Sequence, residues 1–420
     1  MDKLLIKTLI KENQEKILKM SFVERKVELE PNFNYVFVGL RRAGKTFLMY
    51  QHIQNLLKNG RSIEEILFFN FEDDRIDKLE LSDLDLIKRC YEEIYKHKPI
   101  FFLDEIQIVD RWEKFARRLA DNFFRVYITG SNAKMLSGDV ATTLGGRYLI
   151  HNVFPFSFEE YLLAHNIDLT KKNEIYGKYY EIQKLYSKYF TEGGMPEIQF
   201  SNDPRDFLSS LYQKIYLGDI CKRYHIRNET ALNFLIKKMA ESLKQPTSYT
   251  RLANIVSSFG AKVSAATIIE YINYIKDACL IFSVENYVAK LADKEANKKY
   301  YFIDNGILNL FLLDADTSLL ENQVAIKLRQ LYGEQVFYLK GKHEIDFYLP
   351  EQKTAIQVAY TMKNFDTRKR EIGVFIELSK SNFEVTKYLI ITKDEEEIIT
   401  EQGFEIQVIP VMKWLFSFNS

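Results

Sequence analysis

The feature that most restricts the fold of this chain is a glycine-containing loop between a short apolar run and a longer amphipathic run. Residues 39–46 read Gly-Leu-Arg-Arg-Ala-Gly-Lys-Thr and fit the pattern G-x-x-x-x-G-K-[ST] at every position. The apolar residues 35–38 are typical of a buried strand, and residues 46–57 are spaced as in a helix. A strand, a glycine loop and a helix in this order predict that backbone N–H groups of the loop bind phosphate.

The residue types in the loop predict separate contributions to a nucleotide site. Glycines at positions 39 and 44 allow backbone conformations that are closed to other residues. Lys45 would supply positive charge to the β- and γ-phosphates, and the Thr46 hydroxyl would be a ligand of Mg²⁺. We therefore expect ATP and Mg²⁺ as cofactors, and we expect the following residues to bind the nucleotide: Gly39, Leu40, Arg41, Arg42, Ala43, Gly44, Lys45, Thr46 and Phe47.

Two adjacent acids follow a second apolar run, at residues 100–103. The carboxyl ends of parallel strands form the ligand-binding edge of an open sheet, so Asp104 and Glu105 should lie beside the loop. Asp104 would hold Mg²⁺ together with Thr46, and Glu105 would polarise the attacking water. This pairing with the loop predicts hydrolysis as well as binding.

Further candidates for the catalytic step lie after the next predicted strand, at residues 126–128. Ser131 or Asn132 could orient the attacking water or sense the γ-phosphate, and a plain strand-ending turn is the alternative. Arg147 is a candidate arginine finger, with an ordinary surface arginine as the alternative. Arg41 and Arg42 could contact phosphate or pair with the acids at 72–74.

Several short motifs are spread over nearly the whole chain, and together they resemble a known family. They lie at residues 39–46, 70–73, 103–107, 129–132, 146–147, 154–159, 193–196, 344–347 and 356–360. The family is that of the AAA-type P-loop ATPases of bacteria and archaea with a C-terminal domain of unknown function. The resemblance implies an ATPase core, a winged-helix middle and a nuclease-like C-terminal fold.

The alternation of short apolar runs and helical patterns predicts an α/β fold, with a parallel sheet that has helices on both faces. Three helical patterns and a strand-like run between residues 231 and 284 outline a winged helix-turn-helix. Strands predicted after residue 300 indicate a further α/β block, and the resemblance implies that this block is of restriction-endonuclease-like type. The predicted division is an ATPase core at 1–160, a helical lid or connector at 161–228, the winged helix at 229–300 and the nuclease-like domain at 301–420.

Nuclease chemistry in the last domain is not expected. A site of this type needs an acid on one strand and an acid and a lysine on the next, to hold Mg²⁺ and activate water. Asp346 fits the first position, and Glu321 or Glu334 could assist. On the next strand, however, Gln357 replaces the second acid and Ala359 replaces the lysine. Lys363, four residues on, would need an unusual route to the site.

Composition limits the location and the partners of the chain. Lys and Arg number 58, as do Asp and Glu, so no global field attracts nucleic acid or an anionic membrane. The three cysteines lack disulfide or zinc spacing, which favours a reducing, cytoplasmic location. No apolar run approaches the ~20 residues of a membrane span, and the N-terminus reads as an amphipathic helix rather than a secretion signal.

The partner of the ATPase is left open by the sequence. The candidate recognition helix at 264–273 has no basic residue, so Lys262 and the basic stretch at 222–227 are better candidates for phosphate contacts. Weak, backbone-directed DNA binding and a protein partner are both consistent with this pattern. The chain is predicted to be an ATP-driven switch or motor, and both a monomer and a homo-oligomer are consistent with this prediction. The alternative is a DNA- or protein-binding regulator in which ATP is mainly structural.

Overall fold

The structure of the protein is a computed structural model, which describes residues 2–132, 138–169, 177–260, 262–341 and 344–416. The chain forms two compact units. The first comprises Met1–Phe154 with Asp277–Cys279, and the second comprises Pro155–Lys276 with Leu280–Ser420. The predicted division into four domains is finer than this grouping and stays a prediction.

The described residues of the first unit contain five strands and five α-helices. The strands are β1 (Asn34–Val38), β2 (Ile66–Asn70), β3 (Ile100–Asp104), β4 (Arg125–Gly130) and β5 (Tyr148–Asn152). The helices are α1 (Lys3–Lys19), α2 (Lys45–Lys58), α3 (Leu81–Ile94), α4 (Trp112–Asp121) and α5 (Gly138–Leu144). Short 3₁₀ helices span Ile63–Glu65 and Ile106–Ile108.

These five strands form a parallel sheet in the order β2-β3-β4-β1-β5. Strand β4 lies between β1 and β3, and its register pairs Gly130 with Val38 and Ile128 with Leu103. The carboxyl ends of β1, β4 and β3 are therefore neighbours. This order brings the loop after β1 and the acids after β3 to the same edge of the sheet, as the sequence predicts.

Helices cover both faces of this sheet. Side chains of the strands such as Leu67 and Phe101 share one buried cluster with residues of α1, α3 and α4. On the opposite face, the ring of Tyr50 from α2 packs 5.2 Å from the ring of Phe68. The prediction of an α/β unit with a parallel sheet between two helical layers is confirmed.

Helix α1 is amphipathic, as predicted from the sequence. The Asp2 side chain accepts hydrogen bonds from the N–H groups of Leu4 and Leu5, which satisfies free donors at the helix start. Its buried face includes Ile6 and Leu9, which join the core of the first unit. Burial of this face holds α1 on the sheet.

The described residues of the second unit contain nine strands. They are β6 (Thr247–Ser248), β7 (Ile281–Asn286), β8 (Asn297–Phe302), β9 (Phe337–Lys340), β10 (Glu344–Leu349), β11 (Thr354–Val358), β12 (Lys387–Thr392), β13 (Glu397–Glu401) and β14 (Phe404–Pro410). They form one sheet in the order β13-β14-β12-β11-β10-β9-β7-β8-β6.

The described residues of the second unit also contain eleven α-helices. They are α6 (Phe158–Ala164), α7 (Tyr179–Glu192), α8 (Pro204–Gln213), α9 (Glu229–Glu241), α10 (Tyr249–Ser258), α11 (Ala265–Asp277), α12 (Leu291–Ala296), α13 (Asn305–Asn309), α14 (Asp316–Tyr332), α15 (Phe365–Ser379) and α16 (Val411–Phe416). A π-helix spans Lys214–Lys222, and 3₁₀ helices span Ile198–Phe200 and Gly333–Gln335.

One pairing joins the two halves of the nine-stranded sheet. Strands β7 and β8 form an antiparallel hairpin, and β7 also pairs in parallel with β9 through Glu285 and Phe337. The hairpin therefore continues into the C-terminal strands without a break in the sheet. Within the described ranges, no helix has both the length and the apolar character that crossing a membrane requires.

Candidate nucleotide-binding site

The two glycines of the loop after β1 are required for different physical reasons. Gly44 has a φ of 94°, a left-handed conformation that favours glycine. At Gly39 the constraint is space, because a Cβ atom would lie 2.1 Å from the carbonyl oxygen of Val153. The predicted reason for glycine, a backbone conformation closed to other residues, applies at Gly44. At Gly39 the reason is close packing. Arg42, between them, also has a positive φ, of 63°.

The Lys45 ammonium is buried at the start of α2 and is enclosed by the loop. Its Nζ donates to the carbonyl oxygens of Gly39 at 3.1 Å and Leu40 at 3.0 Å. It also lies 3.7 Å from Oε1 of Glu105. The ammonium is thus at the centre of the loop, where the sequence predicts contact with the phosphates.

The carboxylate of Asp104, the last residue of β3, accepts hydrogen bonds from two threonine hydroxyls. Thr46 donates to Oδ2 at 2.9 Å, and Thr129 at the end of β4 donates to Oδ1 at 2.5 Å. Burial, reinforced by the neighbouring charge of Glu105, raises the pKa of Asp104 to about 6 although both hydroxyls oppose this rise. The carboxylate is still mainly charged at neutral pH.

Glu105 is held in a left-handed backbone conformation, with φ of 56°. Its N–H donates to the Thr129 hydroxyl at 2.9 Å. Its Oε2 accepts hydrogen bonds from the Gln107 side chain at 2.5 Å and from the Ser131 N–H at 3.2 Å. A left-handed conformation costs about 1–2 kcal/mol for a residue other than glycine, and the bond from the backbone N–H to Thr129 offsets part of this cost. The two bonds to Oε2 hold the carboxylate in a fixed direction.

The charge of Glu105 is protected by its surroundings. Burial alone would raise the pKa of this carboxyl, but Lys45, Gln107 and Arg41 outweigh it and hold the pKa below its ordinary value. Adjacent acids therefore have pKa values shifted in opposite directions. Such divergence is typical of sites in which two carboxylates have different tasks.

The segment after β4 lies against these acids. Ser131 and Asn132 are both buried, and the Ser131 N–H bonds Glu105 as described above. The Ser131 hydroxyl is buried without a hydrogen-bond partner, which is costly unless a ligand or water supplies one. The structure thus brings Ser131 to Glu105 and buries Asn132 next to it in the chain, and the predicted roles in orienting water or sensing phosphate stay predictions.

The remaining loop residues have different surroundings. Arg41 lies 3.3 Å from Glu72, which is one of the two partners predicted for it. Arg42 is exposed, and Leu40 and Ala43 are buried. Phe47 is exposed at the start of α2, with its ring edge against Tyr50 at 5.7 Å.

Arg147, the candidate arginine finger, lies away from this group in the same chain, and its role stays a prediction. It precedes β5, whose first residue, Tyr148, pairs with Asn34 at the opposite end of β1 from the loop. Four residues of strand separate these ends by about 13 Å. The Arg147 side chain instead bonds Asp121 and the Gly145 carbonyl. A role in the site of a neighbouring subunit stays a prediction.

Two residues of the site were not singled out from the sequence. The Thr129 hydroxyl bonds the Asp104 carboxylate and the Glu105 N–H. The signal in the sequence was a hydroxyl directly after the predicted strand at 126–128. Arg25, from the segment between α1 and β1, is buried and donates to the carbonyl oxygens of Ala43 at 3.2 Å and Phe154 at 3.0 Å. No motif surrounds Arg25, so only the fold shows this contact with the loop.

The donor set of the site suits Mg²⁺. The Thr46 hydroxyl and the Asp104 carboxylate are adjacent hard oxygen ligands. In the described part of the chain, no three His, Cys, Asp or Glu side chains are grouped as ligands for a metal ion. This agrees with Mg²⁺ sites in which substrate phosphates complete the coordination.

The residues considered for nuclease chemistry lie in the second unit. Asp346 on β10 donates its N–H to the Gln357 side chain on β11 at 2.8 Å, so the two predicted positions are adjacent. Glu321 of α14 belongs to the same group through Lys299. Glu334 does not, because it is exposed and pairs with Arg329.

Two protein-family models match separate parts of the chain. An AAA domain model matches residues 31–162, which include the loop, both acids and the segment after β4. A model described as a domain of unknown function matches residues 183–318. The AAA-type resemblance inferred from the motifs is confirmed by the first of these matches.

Similar full-length proteins occur in an archaeon and a bacterium. An uncharacterized protein of Methanocaldococcus jannaschii is 32% identical over 99% of this chain and 96% of its own length. An uncharacterized protein of Haemophilus influenzae is 30% identical over 92% of this chain and 95% of its own length. Among solved structures, a Walker-type ATPase of Pyrococcus abyssi aligns with 72% of this chain and 95% of its own at 14% identity, with a TM-score of 0.40.

Proposed function

Because this chain belongs to the AAA-domain family that includes these archaeal and bacterial relatives, we propose that it binds ATP with Mg²⁺ and hydrolyses it. The observation that carries the proposal is the single hydroxyl of Thr129, which joins the acid beside Thr46 to the acid beside Lys45. The hydroxyl donates to the Asp104 carboxylate and accepts from the backbone N–H of Glu105, so it fixes the two acidic residues beside the phosphate-binding loop.

Each side chain has a definite task in this reaction. Thr46 and Asp104 would hold Mg²⁺, which neutralises charge on the phosphate oxygens. Glu105 polarises a water that attacks the γ-phosphorus, so that the bond to the bridging oxygen breaks and ADP and phosphate leave. Lys45 stabilises the negative charge that develops on the phosphates.

Phosphate binding and the basicity of Glu105 are linked through Lys45. The ammonium is 3.7 Å from the Glu105 carboxylate and contributes to its lowered pKa. Phosphates that attract this ammonium would reduce its hold on Glu105, and the pKa of the carboxyl would rise. Glu105 would thus become a better base when the substrate is bound.

The test of nucleotide binding is a comparison of Lys45→Ala with Lys58→Ala, an exposed lysine at the end of the same helix. We expect Lys45→Ala to lose ATP binding in calorimetry and Lys58→Ala to retain it. Wild-type affinity in folded Lys45→Ala would contradict the proposal. If ATP raises the melting temperature of the wild type but phosphate release is absent, the regulator with structural ATP is the better account.

We infer that helices α9–α11 and strands β6–β8 form a winged helix-turn-helix. The three helices precede an antiparallel hairpin, and β6 pairs with the far strand of that hairpin through Thr247 and Lys298. The order αβββαβ from α14 to β12 likewise supports a restriction-endonuclease-like arrangement of the C-terminal part.

The surface of α11 favours a protein partner over DNA. This helix is described throughout and exposes Ile269, Glu270 and Asn273, none of which is cationic. Helices that read a DNA groove normally present several basic or amide side chains to bases and phosphates, and of these three exposed side chains only that of Asn273 is of this kind. We therefore propose that ATP turnover drives changes in the binding of a protein.

DNA binding is the competing outcome for the second unit, through the exposed Lys222 and Arg227. We expect no salt-dependent affinity for double-stranded DNA in an anisotropy titration, with or without ATP. An affinity that falls with salt and is lost in Lys222→Ala/Arg227→Ala would replace the protein partner with DNA. It would leave the proposal of ATP hydrolysis unaffected.

A further inference from the structure

A fully buried lysine of the second unit is surrounded by carboxylates. Lys299 on β8 is 0% exposed. Its Nζ lies 2.9 Å from Oε1 of Glu344, 3.3 Å from Oδ1 of Asp346 and 3.7 Å from Oε1 of Glu321. One ammonium therefore contacts acids from α14 and from two positions on β10.

The carboxylates in this group are oriented by further hydrogen bonds. Asp346 accepts from the Val358 N–H at 3.0 Å through the oxygen that faces away from Lys299. Glu321 accepts from the Tyr301 hydroxyl at 2.8 Å. The bond at Asp346 leaves its Oδ1 for the ammonium, and at Glu321 the Oε1 that accepts from Tyr301 is also the oxygen nearest Lys299. The arrangement is that of ligands around a cation, with the cation supplied by the chain.

The electrostatics support a permanent charge on this lysine. Burial alone would lower the pKa of Lys299, but Asp346, Glu321 and Glu344 outweigh it and raise the pKa. Burial raises the pKa of Glu321, with the charge of Asp346 adding to the rise. Lys244 also acts on Glu321 and Asp346, but burial lowers its own pKa. Lys299 contacts all three acids, whereas Lys340 lies 3.7 Å from Oε2 of Glu344 alone among them.

We propose that the Lys299 ammonium is the resident cation of the carboxylate site formed by Glu321, Glu344 and Asp346, and that it excludes divalent metal ions from this site. The proposal goes beyond ATP hydrolysis and concerns the other unit. Oxygen ligands of this kind bind Mg²⁺ or Mn²⁺, but an ammonium that is already in contact with all three acids occupies the space and opposes a second positive charge.

The same geometry explains why the lysine does not serve a metal-dependent nuclease. In such a site the lysine lies beside a metal ion and assists the activation of water. Lys299 instead lies among the acids, with the Tyr338 ring 5.5 Å from Nζ. The acid at the second predicted position is replaced by Gln357, whose amide donates to Glu371 at 2.7 Å.

The experiment uses the full chain without nucleotide and MnCl₂ as the probe. Bound Mn²⁺ is counted from the loss of the free Mn²⁺ signal in electron paramagnetic resonance. The samples are the wild type, Asp346→Asn, Lys299→Met and Lys299→Met/Asp346→Asn. Lys353→Met is the control, because Lys353 is a surface lysine of the same unit that pairs with Glu384.

We expect the wild type, Asp346→Asn and Lys353→Met to bind equal amounts of Mn²⁺. Lys299→Met should gain one site with at least tenfold higher affinity than the wild type has for further Mn²⁺. The double variant should lose that site. We also expect Lys299→Met to melt at a lower temperature and Mn²⁺ to restore part of the loss only while Asp346 is present.

Three results would overturn the proposal. One is a Mn²⁺ site in the wild type that Asp346→Asn removes, a measurement that does not depend on the stability of Lys299→Met. Another is a folded Lys299→Met that binds no more Mn²⁺ than the wild type. Cleavage of DNA by the wild type with Mg²⁺, abolished in Asp346→Asn, would also overturn it and assign Lys299 to nuclease chemistry.

Discussion

At the scale of single residues, Asp104 combines a requirement of function with a cost in stability. Its carboxylate must be charged to hold Mg²⁺, but burial and the charge of Glu105 raise its pKa to about 6. The folded protein therefore binds a proton at Asp104 more tightly than the unfolded chain, whose aspartates have a pKa of about 3.9. A difference of about two pKa units corresponds to roughly 3 kcal/mol at neutral pH.

We predict that Asp104→Asn abolishes ATP hydrolysis and stabilises the protein without nucleotide. The amide removes a buried charge, while an amide oxygen at the position of Oδ1 can still accept from Thr46 and Thr129, both of which contact Oδ1 in the structure. The unfolding free energy at pH 7.5 should rise by about 1–3 kcal/mol. Asp110→Asn, at a side chain that is 92% exposed, should change it little.

The pH dependence of this effect has a definite sign. A raised carboxyl pKa makes the contribution of Asp104 to stability less favourable as the pH rises from about 4 to about 6. The advantage of Asp104→Asn should therefore be full at pH 7.5 and should disappear toward pH 4. Denaturant unfolding at several pH values measures it. A variant that is less stable than the wild type at pH 7.5 would contradict the assigned cost.

At the scale of secondary-structure elements, the sequence predicts the four strands of the first unit that are buried on both faces but not β5. Runs such as 66–69 and 100–103 are continuously apolar because both sides of these strands are buried. Strand β5 was missed, because Tyr148–Asn152 is an edge strand in which exposed positions alternate with more buried ones and which ends in His and Asn.

The site shows the same division between local and long-range information. Lys45, Thr46, Asp104 and Glu105 lie in contiguous motifs whose spacing is visible in the sequence. Arg25 reaches the loop only through packing of distant segments, and in the second unit Lys299 reaches its acids in the same way. Their roles therefore could not be read from the neighbouring residues.

We predict that the segment before β1 supports the phosphate-binding loop through Arg25. Arg25→Ala removes hydrogen bonds to the carbonyls of Ala43 and Phe154. ATP affinity should fall about tenfold, the equivalent of about 1.4 kcal/mol. Arg25→Lys should recover only part of it, because an ammonium lacks the planar fork of a guanidinium.

The measurement is the dissociation constant of a fluorescent ATP analogue. Arg61→Ala is the matched control, because Arg61 is exposed and pairs with Glu65 on the surface. Wild-type affinity in Arg25→Ala would show that the loop keeps its conformation without this contact.

At the scale of the whole molecule, the position of Arg147 determines whether this arginine can reach the site of its own subunit or only that of a neighbouring subunit. Arg147 precedes β5 at the edge of the sheet that is farther from the phosphate-binding loop of the same chain. Many AAA-type ATPases complete their site with an arginine from a neighbouring subunit, which would be the remaining catalytic role for Arg147.

We predict that Arg147→Ala and the wild type hydrolyse ATP at equal rates per subunit when diluted to monomers. Loss of activity should appear only at concentrations at which the wild type assembles, as followed by light scattering. Mixing Lys45→Ala with Arg147→Ala would then restore part of the rate, because mixed pairs contain one complete site. Slower turnover by monomeric Arg147→Ala would contradict the geometry.

The most direct measurement of the central claim is phosphate release from ATP by Glu105→Gln at saturating nucleotide. Glu92→Gln, an exposed glutamate that pairs with Lys88, is the control. The account predicts that Glu105→Gln binds ATP with nearly wild-type affinity and releases phosphate at least about 100-fold more slowly, since the amide cannot polarise the water. Wild-type phosphate release by Glu105→Gln would contradict the assignment of this site as the hydrolytic centre.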